Sequence, residues 1–233
     1  MKILKTGRNF LLHFLLPGLL ITQLFTAVTA YAEPAADLGG ALIAGDGSGD
    51  PLAKREQKEV PVIMYHLVTK NESYIGKYGI TPKELENDLV FLKENGYTTI
   101  LMQDLIDFVD GKGKLPEKPI VLTFDDGNSS DYIFLFPLLK KYDMKAVVSI
   151  VGKLTDEYSL EKSKVKPHLD WEQVKEMEKD GHVEIQNHSY NMHSGNGSAR
   201  RDSESMEEYR ARLSGDLEKT QAKVKDATGR MPT

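Results

Sequence analysis

Short apolar runs alternate with longer segments of helical period along the chain after residue 60. Parallel strands that are joined by helices produce this alternation. Five runs have the length and composition of buried strands, and they cover residues 62–65, 98–101, 120–124, 146–151 and 183–186. The pattern predicts an α/β fold with a barrel-like parallel sheet.

Helix signals fill the intervals between these strands. Thr81, Pro82 and Glu84 form a capping box with proline at the first helical position, and a leucine stripe follows on one face. Pro137 is expected to break or kink the helix around it, because proline lacks a backbone donor. The predicted helices cover residues 81–96, 102–109, 131–142, 170–179 and about 205–227.

The first 60 residues lack this periodicity and divide into two parts. Residues 1–32 have a cationic start, an apolar run over 10–28 and an Ala-Tyr-Ala site at 30–32, which is the order of a secretory signal. The run is about as long as a bilayer span, so an uncleaved anchor stays open as an alternative. Residues 33–60 are rich in Ala, Gly and Asp and are expected to form a flexible linker. We therefore predict a secreted or cell-surface protein, with membrane contact only if the leader is retained.

Composition narrows the classes of function. A chain of 233 residues, 40% of them apolar, can bury one sizeable core, so residues 61–233 are expected to form a single domain. The net charge of −5 and the scattered Lys and Arg residues give no electrostatic footprint for nucleic acid. Cysteine is absent, which excludes disulfides and thiolate metal sites. Any metal must therefore be bound by His, Asp or Glu.

Carboxylates and imidazoles follow two of the predicted strands. Asp125 and Asp126 come directly after the third strand, and His188 and His193 come shortly after the fifth. Ligand sites in parallel α/β folds lie at the carboxyl edge of the sheet. Imidazole nitrogens with a carboxylate are a usual ligand set for a catalytic zinc that keeps one position open for water. The pattern indicates a metal site, and an ordinary Asp-Gly turn is the alternative for the first segment.

Three segments in a fixed order resemble a known family. They are Pro-Val-Ile-Met-Tyr-His at 61–66, Thr-Phe-Asp-Asp-Gly at 123–127, and Gly-His-Val-Glu-Ile at 181–185 before the histidines. The chain resembles polysaccharide deacetylases with a NodB-homology domain, which form carbohydrate esterase family 4. The resemblance implies a distorted (β/α) barrel. It also implies a hydrolase that removes N-acetyl groups from N-acetylglucosamine polymers, either peptidoglycan or a poly-N-acetylglucosamine, and releases acetate. A monomer is expected.

The resemblance also assigns roles to the site residues. Asp125 would be the general base, and Asp126, His188 and His193 would bind a divalent metal, for which Zn²⁺ is the expected ion. Such a metal lowers the pKa of bound water and polarises the acetamide carbonyl while the base accepts the water proton. Ser189 would brace the histidine loop by hydrogen bonding. His188 and His193 are five positions apart, whereas the family motif spaces its ligands by four.

The family pattern includes later segments that have no counterpart here. Those segments supply an oxyanion-hole amide and a catalytic acid that is usually histidine, yet no histidine follows His193. We therefore expect a partial domain that is incomplete at its C-terminal strands and lacks the catalytic acid. Two alternatives stay open, namely an O-deacetylase of the acetylxylan type and a noncatalytic glycan-binding remnant of the family.

Other polar residues near the predicted strand ends have simpler interpretations. His66 follows the first strand, where it would either contact substrate at the same edge or be an ordinary polar strand end. Asp170 is interpreted as a helix cap and Trp171 as a packed aromatic residue. His168 is expected in a loop, and His182 on the side of the sheet away from the candidate site.

Overall fold

The computed structural model describes residues 58–76, 78–160, 167–193 and 197–233. The predicted leader and nearly all of the predicted linker lie outside these residues. No helix within the described ranges combines the length and the apolar character that a membrane crossing requires. The helices and strands of the described residues all belong to one compact unit, Val62–Thr233.

Parallel strands form the framework of this unit. Its strands are β1 Val62–Tyr65, β2 Leu67–Val68, β3 Gly79–Ile80, β4 Thr98–Thr99, β5 Pro119–Asp126, β6 Ala146–Val151 and β7 Val183–Ser189. The main sheet has the order β1-β5-β6-β7, β4 pairs with the start of β5, and β2 and β3 form a separate parallel pair. The α/β prediction is confirmed. Within the described residues the main sheet is open rather than closed into a barrel, because β1 and β7 stand at its two edges.

Helices connect the strands. They are α1 Pro82–Glu94, α2 Met102–Val109, α3 Phe136–Tyr142, α4 Gly152–Leu160, α5 Trp171–Asp180 and α6 Met206–Thr228. The capping box of α1 is confirmed, since the Thr81 hydroxyl accepts a hydrogen bond from the Glu84 amide at 3.1 Å and the Glu84 carboxylate accepts one from the Thr81 amide at 2.7 Å. Asp170 caps α5 in the same way. The interpretation of Asp170 as a helix cap is therefore also confirmed.

The segment around Pro137 changes its helical type. Residues Asp131–Leu135 form a π-helical turn, and α3 begins at Phe136. Pro137 thus lies in the first turn of α3, where its missing N–H costs no hydrogen bond. The segment does not break at the proline, but its helical hydrogen-bonding pattern changes just before it.

Sequence reasoning missed helix α4. This helix starts at Gly152, the residue after the end of β6, so no loop signal separates the two elements. Strands β5 and β7 also continue further than predicted, to Asp126 and Ser189. The candidate site residues Asp125, Asp126 and His188 are therefore strand residues rather than loop residues.

Alternation along β5 separates the two faces of the sheet. Ile120, Leu122 and Phe124 lie in the main hydrophobic core together with residues of α1 and α3. Burial of each such side chain contributes about 1.5–3 kcal/mol to stability. Thr123 and Asp125 occupy the alternate positions of the strand and belong to its opposite face. Apolar residues on one face of β5 therefore fix the strand in the core, and its other face places polar residues near the carboxyl edge of the sheet.

Candidate metal centre

The Asp-Asp-Gly turn at the end of β5 has an unusual backbone. Asp126 has φ +76°, and Gly127 follows with φ +65°. A side chain at Gly127 would bring its Cβ within 2.8 Å of the Ile150 Cγ2 atom, so only glycine fits there. A non-glycine residue at positive φ is uncommon and often marks a functional site. The turn therefore holds Asp126 in a left-handed backbone conformation that residues other than glycine rarely adopt.

Strand register brings the Asp126 turn to the same level as the histidine segment. Asp126 pairs with Ile150 of β6, and Ile150 pairs with Asn187 of β7. His188 is the next residue of β7, and it lies at the carboxyl edge as the predicted sheet required. Residues about 60 positions apart in the chain are thus neighbours, because parallel strands end at a common edge.

Three side chains converge at this edge. The Asp126 Oδ1 atom lies 3.1 Å from His193 Nε2 and 3.5 Å from His188 Nε2. His188 Nε2 lies 3.1 Å from His193 Nδ1. One ligand atom from each of the three residues lies within 4.8 Å of the others. The five-residue spacing of the histidines therefore still brings both rings to Asp126.

The Asp126 carboxylate fits a cation better than it fits its protein neighbours. Its Oδ1 atom is buried and has no hydrogen-bond partner in the described part of the chain, although both imidazoles are close. Their proximity without hydrogen-bond geometry leaves the oxygen unsatisfied, which is costly for a buried group. Two imidazole nitrogens and one carboxylate oxygen are a donor set for zinc with an open coordination position. The residues present therefore fit a divalent metal.

The loop between the two histidines is braced as the resemblance implied. The Ser189 hydroxyl accepts a hydrogen bond from the Met192 amide at 3.3 Å. Ser189 is itself buried at the end of β7. This contact turns the chain immediately after His188 and directs it back toward Asp126.

His168 belongs to the same edge, which sequence reasoning missed. Its Nδ1 atom lies 3.3 Å from the Asp126 carbonyl oxygen, to which it donates. The neighbouring Leu169 amide donates to the Gly127 carbonyl at 2.9 Å, so the segment pairs with the Asp-Asp-Gly turn. Burial lowers the pKa of His168 below its ordinary value. His168 was correctly predicted in a loop, but no local signal in the sequence indicated that the loop packs on this turn.

Asp131 lies beneath the site as a buried acid. It is fully buried, and neither carboxyl oxygen has a hydrogen-bond partner within the described residues. Burial, reinforced by the negative charge of Asp126, raises the pKa of Asp131 well above its ordinary value. Burial therefore disfavours the charged form of Asp131 beneath the site.

His66 directly follows β1, and Asp125 lies in the neighbouring strand β5. Tyr65 of β1 pairs with Phe124 of β5, so the residues that follow them share one level of the edge. The Asn128 side chain ties the two strand ends together, donating to the His66 carbonyl at 3.3 Å and the Asp125 carbonyl at 3.4 Å. The edge thus also carries His66 from early in the chain, although no histidine follows His193.

Comparison with known proteins agrees with this geometry. The family model described as polysaccharide deacetylase matches residues 112–233, more than half of the chain. The chain belongs to the polysaccharide deacetylase family. The de-N-acetylase of Aggregatibacter actinomycetemcomitans has a similar solved structure, with a TM-score of 0.63 and 31% identity over 74% of this chain and 76% of that one. The parallel α/β architecture is therefore that of the family.

Two curated relatives carry names that bear on chemistry. A putative polysaccharide deacetylase of Bacillus subtilis, YxkH, is 33% identical over 131 residues, which are 56% of this chain and 42% of that protein. The poly-beta-1,6-N-acetyl-D-glucosamine N-deacetylase of Escherichia coli K12 is 34% identical over 118 residues, or 48% of this chain and 18% of that protein. The chain therefore spans less than half the length of either relative.

Proposed function

We propose that this protein hydrolyses N-acetyl groups of N-acetylglucosamine units in an extracellular polysaccharide of the poly-β-1,6-linked type and releases acetate. The observation that carries the proposal is the convergence of Asp126, His188 and His193 at one sheet edge with Asp125 as the preceding residue. The similarity to the Escherichia coli N-deacetylase supports this polymer over peptidoglycan. A polymeric substrate outside the cell also fits the predicted secretory leader, and we expect a monomer.

Asp126, His188 and His193 would hold the metal, with Zn²⁺ the expected ion. A divalent metal supplies a polarised carbonyl and a bound water of lowered pKa. The protein contributes a fixed arrangement of ligands, because β5 and β7 position two of them and the braced loop positions the third. Asp126 is the carboxylate that faces both histidines, at 3.1 Å from His193 Nε2 and 3.5 Å from His188 Nε2.

Asp125 is the proposed general base. It lies on the face of β5 opposite to Phe124, and the turn at Asp126 separates its side chain from the metal-binding carboxylate. Its carboxylate accepts the proton of the water that attacks the acetamide carbon. The carbon–nitrogen bond then breaks, the amine leaves with one added proton, and acetate is released.

His66 is the better candidate to protonate the leaving amine. It follows β1 at the carboxyl edge, and the Asn128 side chain donates to its carbonyl and to the Asp125 carbonyl. His168 is less suited to this role, because its Nδ1 atom contacts the Asp126 carbonyl and burial lowers its pKa. Lowering the pKa of an imidazole disfavours the imidazolium form, which is the form that acts as a general acid.

A substrate panel tests the proposed function. Acetate release is measured on poly-β-1,6-N-acetylglucosamine, peptidoglycan and acetylxylan, each with added Zn²⁺ and with a chelator. We expect metal-dependent release from the first polymer. Release from acetylxylan alone would overturn N-deacetylation in favour of an O-deacetylase. Binding of the glycan without any release would indicate a noncatalytic glycan-binding protein.

A further inference from the structure

Asp216 of helix α6 accepts hydrogen bonds from the backbone between the two histidines. Its Oδ1 atom accepts a hydrogen bond from the Tyr190 amide at 2.6 Å, and its Oδ2 atom accepts one from the Asn191 amide at 2.9 Å. We call residues 188–193 the histidine loop. Both oxygens of one carboxylate therefore hold consecutive amides in the middle of this loop.

Further contacts join the histidine loop to the layer of helices around Asp216. The Tyr190 hydroxyl donates to Asp156 Oδ2 at 3.0 Å, and the Lys219 ammonium lies 3.6 Å from the centre of the Tyr190 ring. Just before the loop, the Asn187 side chain donates to the Leu217 carbonyl at 2.9 Å. Side-chain contacts of Asn187 and Tyr190 thus add to the Asp216 hydrogen bonds in setting the position of the loop relative to α6.

His193 depends on the Asp216 hydrogen bonds more than His188 does, because only His188 lies in a strand. His188 is the second-last residue of β7, but His193 lies in a loop and its side chain is 46% exposed. A strand fixes a side chain through its ladder of hydrogen bonds, whereas an exposed loop residue has no ladder. The two Asp216 bonds supply that constraint, and bonds to an ionised carboxylate are about twice as strong as neutral ones.

We infer that Asp216 is a positioning residue that holds His193 in register with His188 for metal binding. The inference rests on the proposed metal site. Asp216 does not itself contact the three candidate ligands in the described structure, so it acts through the loop backbone. Residues that orient metal ligands typically change metal affinity by about 10–100-fold when they are replaced.

The test compares Asp216→Ala and Asp216→Asn with Asp226→Ala, which removes an exposed carboxylate from the same helix. Zn²⁺ affinity is measured by competition with a chromophoric chelator, and deuterium exchange of the histidine loop is measured on the metal-free proteins. We expect Asp216→Ala to weaken Zn²⁺ binding by about 10–100-fold. Asp216→Asn should be intermediate, because its amide keeps one acceptor oxygen for two donors. Asp226→Ala should match the unaltered protein.

Loop exchange gives a readout that is independent of activity. The Tyr190 and Asn191 amides should exchange faster in Asp216→Ala, while the β7 amides before them keep their protection. Unchanged Zn²⁺ affinity in a folded Asp216→Ala protein would overturn the inference, even if loop exchange increased. Absence of Zn²⁺ binding in the unaltered protein would instead overturn the proposed metal site, and this inference with it.

Discussion

Histidine and aspartate side chains meet at both ends of the parallel sheet. At the amino end, His182 precedes β7 and contacts Asp180 Oδ1 at 2.5 Å and Asp143 Oδ1 at 3.5 Å. Lys140 completes that group, with its ammonium 3.3 Å from Asp180 Oδ2. At the carboxyl end, the described ion pairs of Asp126 are with two histidines. The two clusters use similar side chains but differ in the source of positive charge.

This difference separates a structural cluster from a candidate metal centre. Burial acts against ionisation of Asp180, yet hydrogen bonds from His182 and Lys140 lower its pKa below the ordinary value. The chain therefore supplies the cation that this carboxylate needs. Asp126 instead has a buried oxygen without a hydrogen-bond partner in the described residues. The lack of an internal cation for Asp126 is the feature that makes its cluster a candidate metal centre.

Loss of the proposed base should have the largest effect. We expect Asp125→Asn to lower the rate of acetate release by about 10²–10⁴-fold, because a positioned general base typically contributes that factor. Zn²⁺ content should stay unchanged, since Asp125 is not one of the three converging ligands. Elemental analysis beside the activity assay checks both points. A parallel loss of zinc would assign Asp125 to metal binding instead.

Removal of a ligand should distinguish the two ends of the sheet. His193→Ala is expected to lower the Zn²⁺ occupancy measured by elemental analysis. The loss of Zn²⁺ affinity should be at least the roughly 10–100-fold that is typical when a residue supporting a metal ligand is replaced. His182→Ala is the matched control, because it removes the same side chain from the cluster at the amino end. Unchanged occupancy in His193→Ala would remove this residue from the ligand set.

Replacement of the buried acid should raise stability. The pKa of Asp131 is raised in the folded state, so above about pH 4 the unfolded chain binds fewer protons and stability falls as the pH rises. We expect Asp131→Asn to abolish this loss and to stabilise the metal-free protein by about 1–3 kcal/mol at pH 7. Urea unfolding at pH 4 and pH 7 checks the sign. A larger gain at pH 4 than at pH 7 would contradict the assignment.

The smallest effect is expected at the amino end. His182→Ala removes contacts to Asp180 and Asp143 and should destabilise the protein by about 0.5–1.5 kcal/mol. Its Zn²⁺ content should equal that of the unaltered protein. Urea unfolding and elemental analysis on the same sample test both expectations. A loss of zinc without a loss of stability would mean that the two ends of the sheet do not differ as described.

Much of the candidate site was predictable, because parallel topology has few solutions. Once the runs at 120–124 and 183–186 were identified as parallel strands, Asp126 and His188 had to meet at one edge. The ligand chemistry then followed from residue type. The expected position of His182 on the other side of the sheet follows from the same rule and is confirmed by its contacts with Asp180 and Asp143.

The remaining parts of the site depend on contacts between distant segments. His168 reaches the site through backbone pairing with the Asp126 turn, some 40 residues earlier in the chain, and no local pattern encodes that pairing. Asp216 lies on a helix whose charges had the pattern of a solvated face. Its role depends on how α6 packs beside β7, which periodicity cannot specify. The predicted lack of a catalytic acid rests on the absence of a histidine after His193. His66, which precedes the site residues in the chain, also lies at the carboxyl edge of the sheet.

Anomalous diffraction at the zinc absorption edge from Zn²⁺-loaded crystals tests the central claim most directly. We predict one dominant peak at the carboxyl end of the sheet, about 2.0–2.2 Å from nitrogen atoms of His188 and His193 and from a carboxylate oxygen of Asp126. No peak at these three residues, or a dominant peak beside His182 at the amino end, would contradict it.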